Sequence, residues 1–472
     1  MRPALVLLLS AWAAAAHAQQ NPAGPTPAEA PVAAPAMPPS AEPAPGASAP
    51  LPLTLAQAHA IAVQNHPQIA AAALQAQAQQ QVYLQARSGL LPQVTAFGNA
   101  VHADSDNTRL MAGAINNPSV FSRTAIGGAV SQLITDFGHT TNLAASARLQ
   151  ASAAEQTSLA TREQVLLEVD HSYFGALQAQ GVQSVARQTL DTRQLLLERV
   201  SVLAENKLKS ELDVSFAQVA TEQARLLLQK AQADVDSSLA TLSTALGYRE
   251  QRSFTLADES TVPVPASAEV QPLIDEALQN RPELGSLRDE RDAAERLARS
   301  LRDARLPTVS ALVTAGNSPS HDARLPANYS AGGLQVSIPV FTGGLYSARQ
   351  HEAELRARAA AEALRTAEDN ISRDVRVAWL NLNNARERLR TNQQLARYAA
   401  TAYQLAEARY RVGSSSIVEL SQAQLELTTA QIEETAARYE VLTRESDLNF
   451  VIGATPPATA PPQSRADPNA LP

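Results

Sequence analysis

The chain has 472 residues, 45% hydrophobic but only 4% aromatic, with a net charge of −8 and no cysteine. Without cysteine, disulfides, thiolate metal sites, cysteine nucleophiles and a cysteine-anchored N-terminal lipid are all excluded, and the acidic balance opposes a nucleic-acid partner. Length alone allows about three domains, yet few aromatics beside many Ala and Leu point to thin, close-packed helices rather than one large globular core.

The N-terminus comes first. Arg2, an apolar run from Pro3 to Ala16, and Ala16-His17-Ala18 before Gln19 form a secretory signal over residues 1–18, cleaved between Ala18 and Gln19. The run is too short to cross ~30 Å of hydrocarbon. Of 29 prolines, 11 fall between Pro22 and Pro52 and six between Pro456 and Pro472. Residues 19–52 and 454–472 are therefore expected to be disordered, Ala/Pro-rich tails. The stretches 119–262 and 340–455 have no proline, so very long helices are permitted there. No stretch of 18 uninterrupted apolar residues follows the signal, and no transmembrane helix is expected.

The rest of the chain is a duplication. Asn65-His66-Pro67 matches Asn280-Arg281-Pro282, and Leu91-Pro92 matches Leu306-Pro307, at an offset of 215. Val130-Ser131 matches Val336-Ser337, Gly138 matches Gly344 and Gly247 matches Gly453 at an offset of 206. One loop between Pro92 and Val130 is thus nine residues longer in the first copy. The copies are placed at 53–247 and 271–453, joined by 248–270.

Each copy opens with a short helix, 55–65 or 271–280. A second helix starts at Pro67 or Pro282, where the missing N–H costs nothing, and is expected to reach Leu91 or Leu306, before the next proline. Apolar and polar residues then alternate over 308–315 and 333–340, and more faintly around Ile126, Val130 and Ile134. Period two with one apolar face predicts strand pairs, joined by polar loops at 104–122 and 317–328. After Gly138 and Gly344 the period becomes helical. Ile371, Val375, Ala378, Leu382, Ala385 and Leu389 form a coiled-coil seam. Unbroken helices are predicted from about 139 to 205 and from about 345 to 411, each roughly 100 Å long. Tight turns follow, and shorter helices return to Gly247 and Gly453.

Four strands per chain do not close a membrane barrel, and open edges in lipid are too costly to persist. Only an oligomer closes them, with eight strands as a dimer or twelve as a trimer. The result is a tube, with a β-barrel in an outer membrane continued by helices in the periplasm.

The chain resembles the outer membrane efflux protein family, the TolC-like export channels. The resemblance rests on Asn65-His66-Pro67, Leu90-Leu91-Pro92-Gln93, Val130-Ser131-Gln132-Leu133, Asp136-Phe137-Gly138, Phe341-Thr342-Gly343-Gly344 and Arg409-Tyr410-Arg411-Val412-Gly413, in this order and duplicated. It covers 53–453. It implies a mainly α fold with β: a duplicated long-helix coiled-coil α-barrel plus two β-hairpins, contributing to a trimeric 12-stranded outer-membrane barrel. It also implies a homotrimer in the outer membrane of a Gram-negative bacterium, in contact with outer-membrane lipid. This trimer is the exit duct of a tripartite efflux or type I secretion system. A periplasmic adaptor (membrane fusion) protein and a proton-driven or ABC inner-membrane transporter open this passive conduit.

The resemblance carries over to residues at the helix-to-helix turns. Asn206, Lys207, Val412, Gly413 and Ser414 mark the periplasmic tips that meet the adaptor. Gly413 suits a left-handed turn. Lys207 stands at the matching position of the first tip, where Asn206 is the nearer candidate for that conformation. Asp213 and Glu419 follow the tips and are expected to ring the entrance with carboxylates that favour cations. Gln422 stands where relatives often carry another acid, which weakens that field. The plainer role of both acids is to meet a helix N-terminus. Arg409 and Arg411 are candidate latches between neighbouring helices.

No enzyme, cofactor or metal site is expected. Asp136-Phe137-Gly138 spells a kinase motif without its companions, and the eight histidines have no paired ligand spacing. No Gly-rich phosphate loop or nucleophile elbow occurs. The alternatives are a periplasmic adaptor, with one helical hairpin between β-rich halves, and a soluble coiled-coil scaffold; neither needs two tandem strand pairs.

Overall fold

The computed structural model describes residues 53–102, 108–109, 119–120, 123–258, 269–320 and 326–454. The signal segment with Ala18 and Gln19, the 19–52 lead, 455–472, and parts of the 248–270 connection and of both polar loops lie outside the described residues. In chain order the elements are α1 (Leu55–Asn65), α2 (Pro67–Ser88), β1 (Gln93–Val101), β2 (Thr108–Arg109), β3 (Ser119–Val120), β4 (Arg123–Thr135), α3 (His139–Glu205), α4 (Glu211–Ala245), α5 (Gln271–Asn280), α6 (Pro282–Asp303), β5 (Thr308–Ser320), β6 (Asn328–Ser337), α7 (Leu345–Arg411) and α8 (Ile417–Ile452).

Local chemistry sets these bounds. Thr54 caps α1 through a reciprocal pair: its Oγ1 accepts the Gln57 N–H at 3.2 Å, and the Gln57 side chain accepts the Thr54 N–H at 3.1 Å. Pro67 and Pro282 sit in the first turns of α2 and α6. These helices end at Ser88 and Asp303, three residues short of the expected Leu91 and Leu306. A tight last turn replaces the helix there. The Leu91 N–H donates to Ser88 O at 3.0 Å and the Leu306 N–H to Asp303 O at 2.9 Å, because the residue before proline is driven out of the helical region.

α3 and α7 span the predicted 139–205 and 345–411. Each starts from two left-handed residues, Phe137 and Gly138 or Gly343 and Gly344. Asp136 stabilises the first turn, its carboxylate accepting the Gly138 and Thr140 N–H groups at 3.2 and 2.7 Å. Asp136-Phe137-Gly138 is thus a strand-to-helix turn. α4 and α8 return along α3 and α7, while α2 and α6 flank the opposite ends of the same long helices. Among the described residues no helix is long and apolar enough to cross a membrane.

Two matched cores sit midway. Val165 and Val169 pack with Ala58, Ala62, Leu242 and Leu246; their counterparts Ile371 and Val375 pack with Ile274, Ala277, Leu448 and Ile452. His59 takes the place that Ile274 has in the second core, and it pairs there with Asp170.

The larger sheet is antiparallel in the order β1-β4-β5-β6, so β4 and β5 join the two copies. Register puts Val94, Val130 and Val313 in one row. With Ile126, Leu334 and Val336 they form an apolar face open to the surroundings; Val94 is 75% and Leu334 73% exposed. The other face carries Thr95, Asn99, Ser131, Ser310, Thr314 and Gln335. On this face Phe97, Gly127, Gly316 and Tyr329 form one row across all four strands. The rings of the edge strands lie over the central glycines: a Cβ on Gly316 would stand 2.5 Å from Tyr329 Cζ. β5 runs past the predicted 308–315 to Ser320, whereas β6 stops at Ser337, short of the predicted 340.

Candidate functional site

The candidate site is the pair of turns closing the two long hairpins. At α7–α8 the Ser414 N–H donates to Arg409 O at 2.9 Å and the Gly413 N–H to Tyr410 O at 3.1 Å. Gly413 has φ +80°, and Val412 projects outward, 78% exposed. At α3–α4 the Leu208 N–H donates to Leu203 O at 2.8 Å and the Lys207 N–H to Ala204 O at 2.8 Å. These are the same helix-ending motif twice. The left-handed residue of the first tip is Lys207, at φ +57°. Asn206, the expected candidate, stays at φ −84° and donates its side-chain amide to Val202 O at 2.7 Å. The hydrogen-bond pattern fixes which position turns left-handed, and it overrides the milder preference of asparagine.

The two acids occupy the same position after Ser210 and Ser416. Asp213 closes a reciprocal cap, its carboxylate accepting the Ser210 N–H at 3.1 Å and O–H at 3.0 Å. Glu419 gives only its backbone to the cap, donating to Ser416 Oγ at 3.2 Å. Its carboxylate meets Arg409 at 3.0 Å instead. Arg409 also donates to Ser414 O at 3.4 Å. Arg411 pairs with Glu407 of its own helix at 3.1 Å. Within one chain, then, these contacts of Arg409 and Arg411 stay in the α7–α8 hairpin.

Two residues that sequence reasoning passed over tie the hairpins together. Tyr410 packs with Val200, Ile417 and Leu420, and Lys209 Nζ of the first tip lies 4.1 Å from its ring centroid. Its buried hydroxyl has no hydrogen-bond partner among the described residues. Burial and the nearby Asp213 charge both push the phenol up. Arg193 of α3 is buried, donates to Ser421 O of α8 at 3.2 Å, and is lowered by that burial. In sequence Tyr410 lies hidden between two arginines, and Arg193 reads as part of a solvated face. The signal for Tyr410 was an aromatic inside a duplicated tip motif whose other copy has Ala204.

Among the described residues no three His, Asp or Glu side chains are placed to hold a metal ion. The tips combine charge, in the Arg409–Glu419 pair and Lys209, with apolar contact around Tyr410 and an exposed Val412.

The family model described as outer membrane efflux protein matches residues 60–248 and 273–454. The chain is 25% identical over 382 residues to the toluene efflux pump outer membrane protein TtgC of Pseudomonas putida, covering 79% of this chain and 77% of that protein. It is 24% identical over 386 residues to the outer membrane protein TolC of Escherichia coli, covering 78% and 76%. Its fold is similar to the crystal structure of the outer membrane protein VceC of Vibrio cholerae, with a TM-score of 0.72 at 17% identity over 84% of this chain and 96% of that one.

Proposed function

The chain belongs to the outer membrane efflux protein family, a family of transport proteins and not of enzymes, and on that premise we propose that it is the exit duct of a tripartite efflux pump in the outer membrane. Three copies close a 12-stranded barrel in the membrane and continue it as a helical barrel into the periplasm. The duct is passive: a periplasmic adaptor meets Asn206, Lys207, Val412, Gly413 and Ser414 at the tips, and an inner-membrane transporter, proton-driven or ABC, supplies energy and selects cargo. Type I secretion would use the same duct. Asp213 and Glu419 ring the entrance, and Arg409 and Arg411 hold it shut until the adaptor engages.

The observation that carries this reading is the sheet. Four strands expose an apolar face and leave β1 and β6 as open edges. In water such a sheet is an aggregation site; closed by copies of itself and set in lipid, every edge is paired. Membrane fractionation followed by mass measurement in detergent tests it. A three-chain species in the outer-membrane fraction is expected, and a soluble periplasmic monomer would overturn the proposal.

A further inference from the structure

Glycine is a poor strand residue, because it costs backbone entropy and offers no side chain to pack. The larger sheet nevertheless carries Gly98, Gly127, Gly128, Gly316, Gly332 and Gly333. A Cβ added to Gly98 or Gly333 would meet nothing within 4 Å, and at Gly128 or Gly332 it would meet no atom nearer than 3.6 Å. Gly127 and Gly316 differ. They oppose one another on the two central strands, and both lie under rings from the edge strands. A Cβ on Gly316 would stand 2.5 Å from Tyr329 Cζ; one on Gly127 would stand 2.7 Å from Tyr329 Oη and 2.9 Å from Phe97 Cζ. Tyr329 of β6 therefore lies across β5. Its hydroxyl and the tip of the Phe97 ring of β1 both come to rest above Gly127.

The duplication does not produce this arrangement. Gly333 is the counterpart of Gly127 at the offset of 206, and no ring covers it. Burial follows the rings instead. Phe97 and Tyr329 are half-buried, and Ala125, two residues before Gly127 on the same face, is buried. The next row toward the helices holds Thr95, Ala129, Thr314 and Ala331. Within these two rows the rings are the only large side chains.

We infer that Gly127 and Gly316 keep the bore of the barrel wide by giving Phe97 and Tyr329 a floor to lie on. The statement rests on the reading of this protein as a closed channel. With the apolar face toward lipid, the Phe97 face lines the passage, and each chain brings two rings to one level of it. A methyl group on either glycine would occupy the space of a ring. The sheet lies beneath, so the displaced ring turns into the passage. The two glycines are thus positioning residues. They also let β4 and β5 approach, since the same added Cβ atoms would stand 2.7 Å from Ala315 O and 2.6 Å from Ile126 O. The test must therefore read the bore as well as the fold.

The native chain has no cysteine, so a single introduced thiol reports alone. Ala331→Cys stands on the passage face, two residues past Tyr329 toward the helices. Two membrane-impermeant maleimides, one small and one carrying a bulky polymer, are added from outside to cells bearing the full-length protein. Gly316→Ala should slow the bulky reagent at Ala331→Cys several-fold and leave the small one unchanged. Adding Tyr329→Ala should restore the bulky rate. Phe97→Ala/Tyr329→Ala with the native glycines should leave both rates as they were, because the rings already lie clear of the passage. That variant decides the matter if Gly316→Ala fails to reach the membrane: faster bulky labelling would mean that the rings stand in the passage, and would overturn the inference. So would a Gly316→Ala protein that labels as fast as its parent, a slowing that Tyr329→Ala does not relieve, or an Ala331→Cys that neither reagent reaches. Val130→Cys, on the apolar face, should resist both reagents. If it labels freely while Ala331→Cys does not, the assignment of faces fails, and the closed channel fails with it.

Discussion

A lysine holds the place of a glycine at the first tip. Lys207 at φ +57° and Gly413 at φ +80° close identical turns, but only glycine does so without cost. A Cβ at Gly413 meets nothing within 4 Å, so the penalty of Gly413→Ala is conformational alone. It should be about 1 kcal/mol, read as a lower unfolding midpoint; Lys207→Gly should raise that midpoint by less, because glycine also loosens the unfolded chain. The offset made the matched positions of Lys207 and Gly413, and of Asp213 and Glu419, legible in sequence. It did not reveal that Glu419 leaves its cap for Arg409 while Asp213 stays, since that depends on where an arginine side chain reaches. If Glu419 belongs to an entrance ring, Glu419→Lys lowers the preference for cations in single-channel recordings. Unaltered ion selectivity would remove Glu419 from that role.

At the scale of elements, the long helices were legible because proline is absent inside them and glycine precedes them. The end of β6 was not legible in one chain, because a strand's length depends on a partner strand as well as on its own alternation. Contacts between elements were equally hidden. His171 of α3 meets Asp447 of α8 at 2.8 Å, and Arg444 reaches the same carboxylate at 3.1 Å. The bond from Asp447 raises the His171 pKa against the opposing effect of burial and Arg444, with the Asp447 and Asp170 charges adding to the rise. Burial pulls Asp447 up, but the His171 and Arg444 bonds carry it below its ordinary value. A raised histidine stabilises the fold fully below its ordinary pKa of about 6.5 and loses that contribution as pH climbs through the raised value. A lowered aspartate contributes above about 3.9 and loses it as pH falls. The clasp between α3 and α8 is therefore strongest between those limits and weakens in alkali. Thermal midpoints of the wild type should fall from mildly acidic to mildly alkaline pH more steeply than those of His171→Asn. Equal slopes would mean that the pair carries no pH dependence.

At the scale of the molecule, the duplication explains why so much of the architecture was legible from repeats alone. Each copy supplies one long rod, two shorter ones and a strand pair, and neither copy buries its own edges. The internal β4–β5 and α3–α6 contacts cover one pair of edges; β1 and β6 stand as the open edges of the sheet in the single chain. Among the described residues no helix is long and apolar enough to cross a membrane; on the proposed reading the membrane is met by the sheet, whose Val94, Ile126 and Leu334 stand open in the single chain. A conduit is the consequence of closure, and conduction is its most direct sign. The purified full-length protein, added to a planar lipid bilayer, should give discrete, long-lived conductance steps from a species of three chains. A monomer that leaves the bilayer silent would contradict the channel.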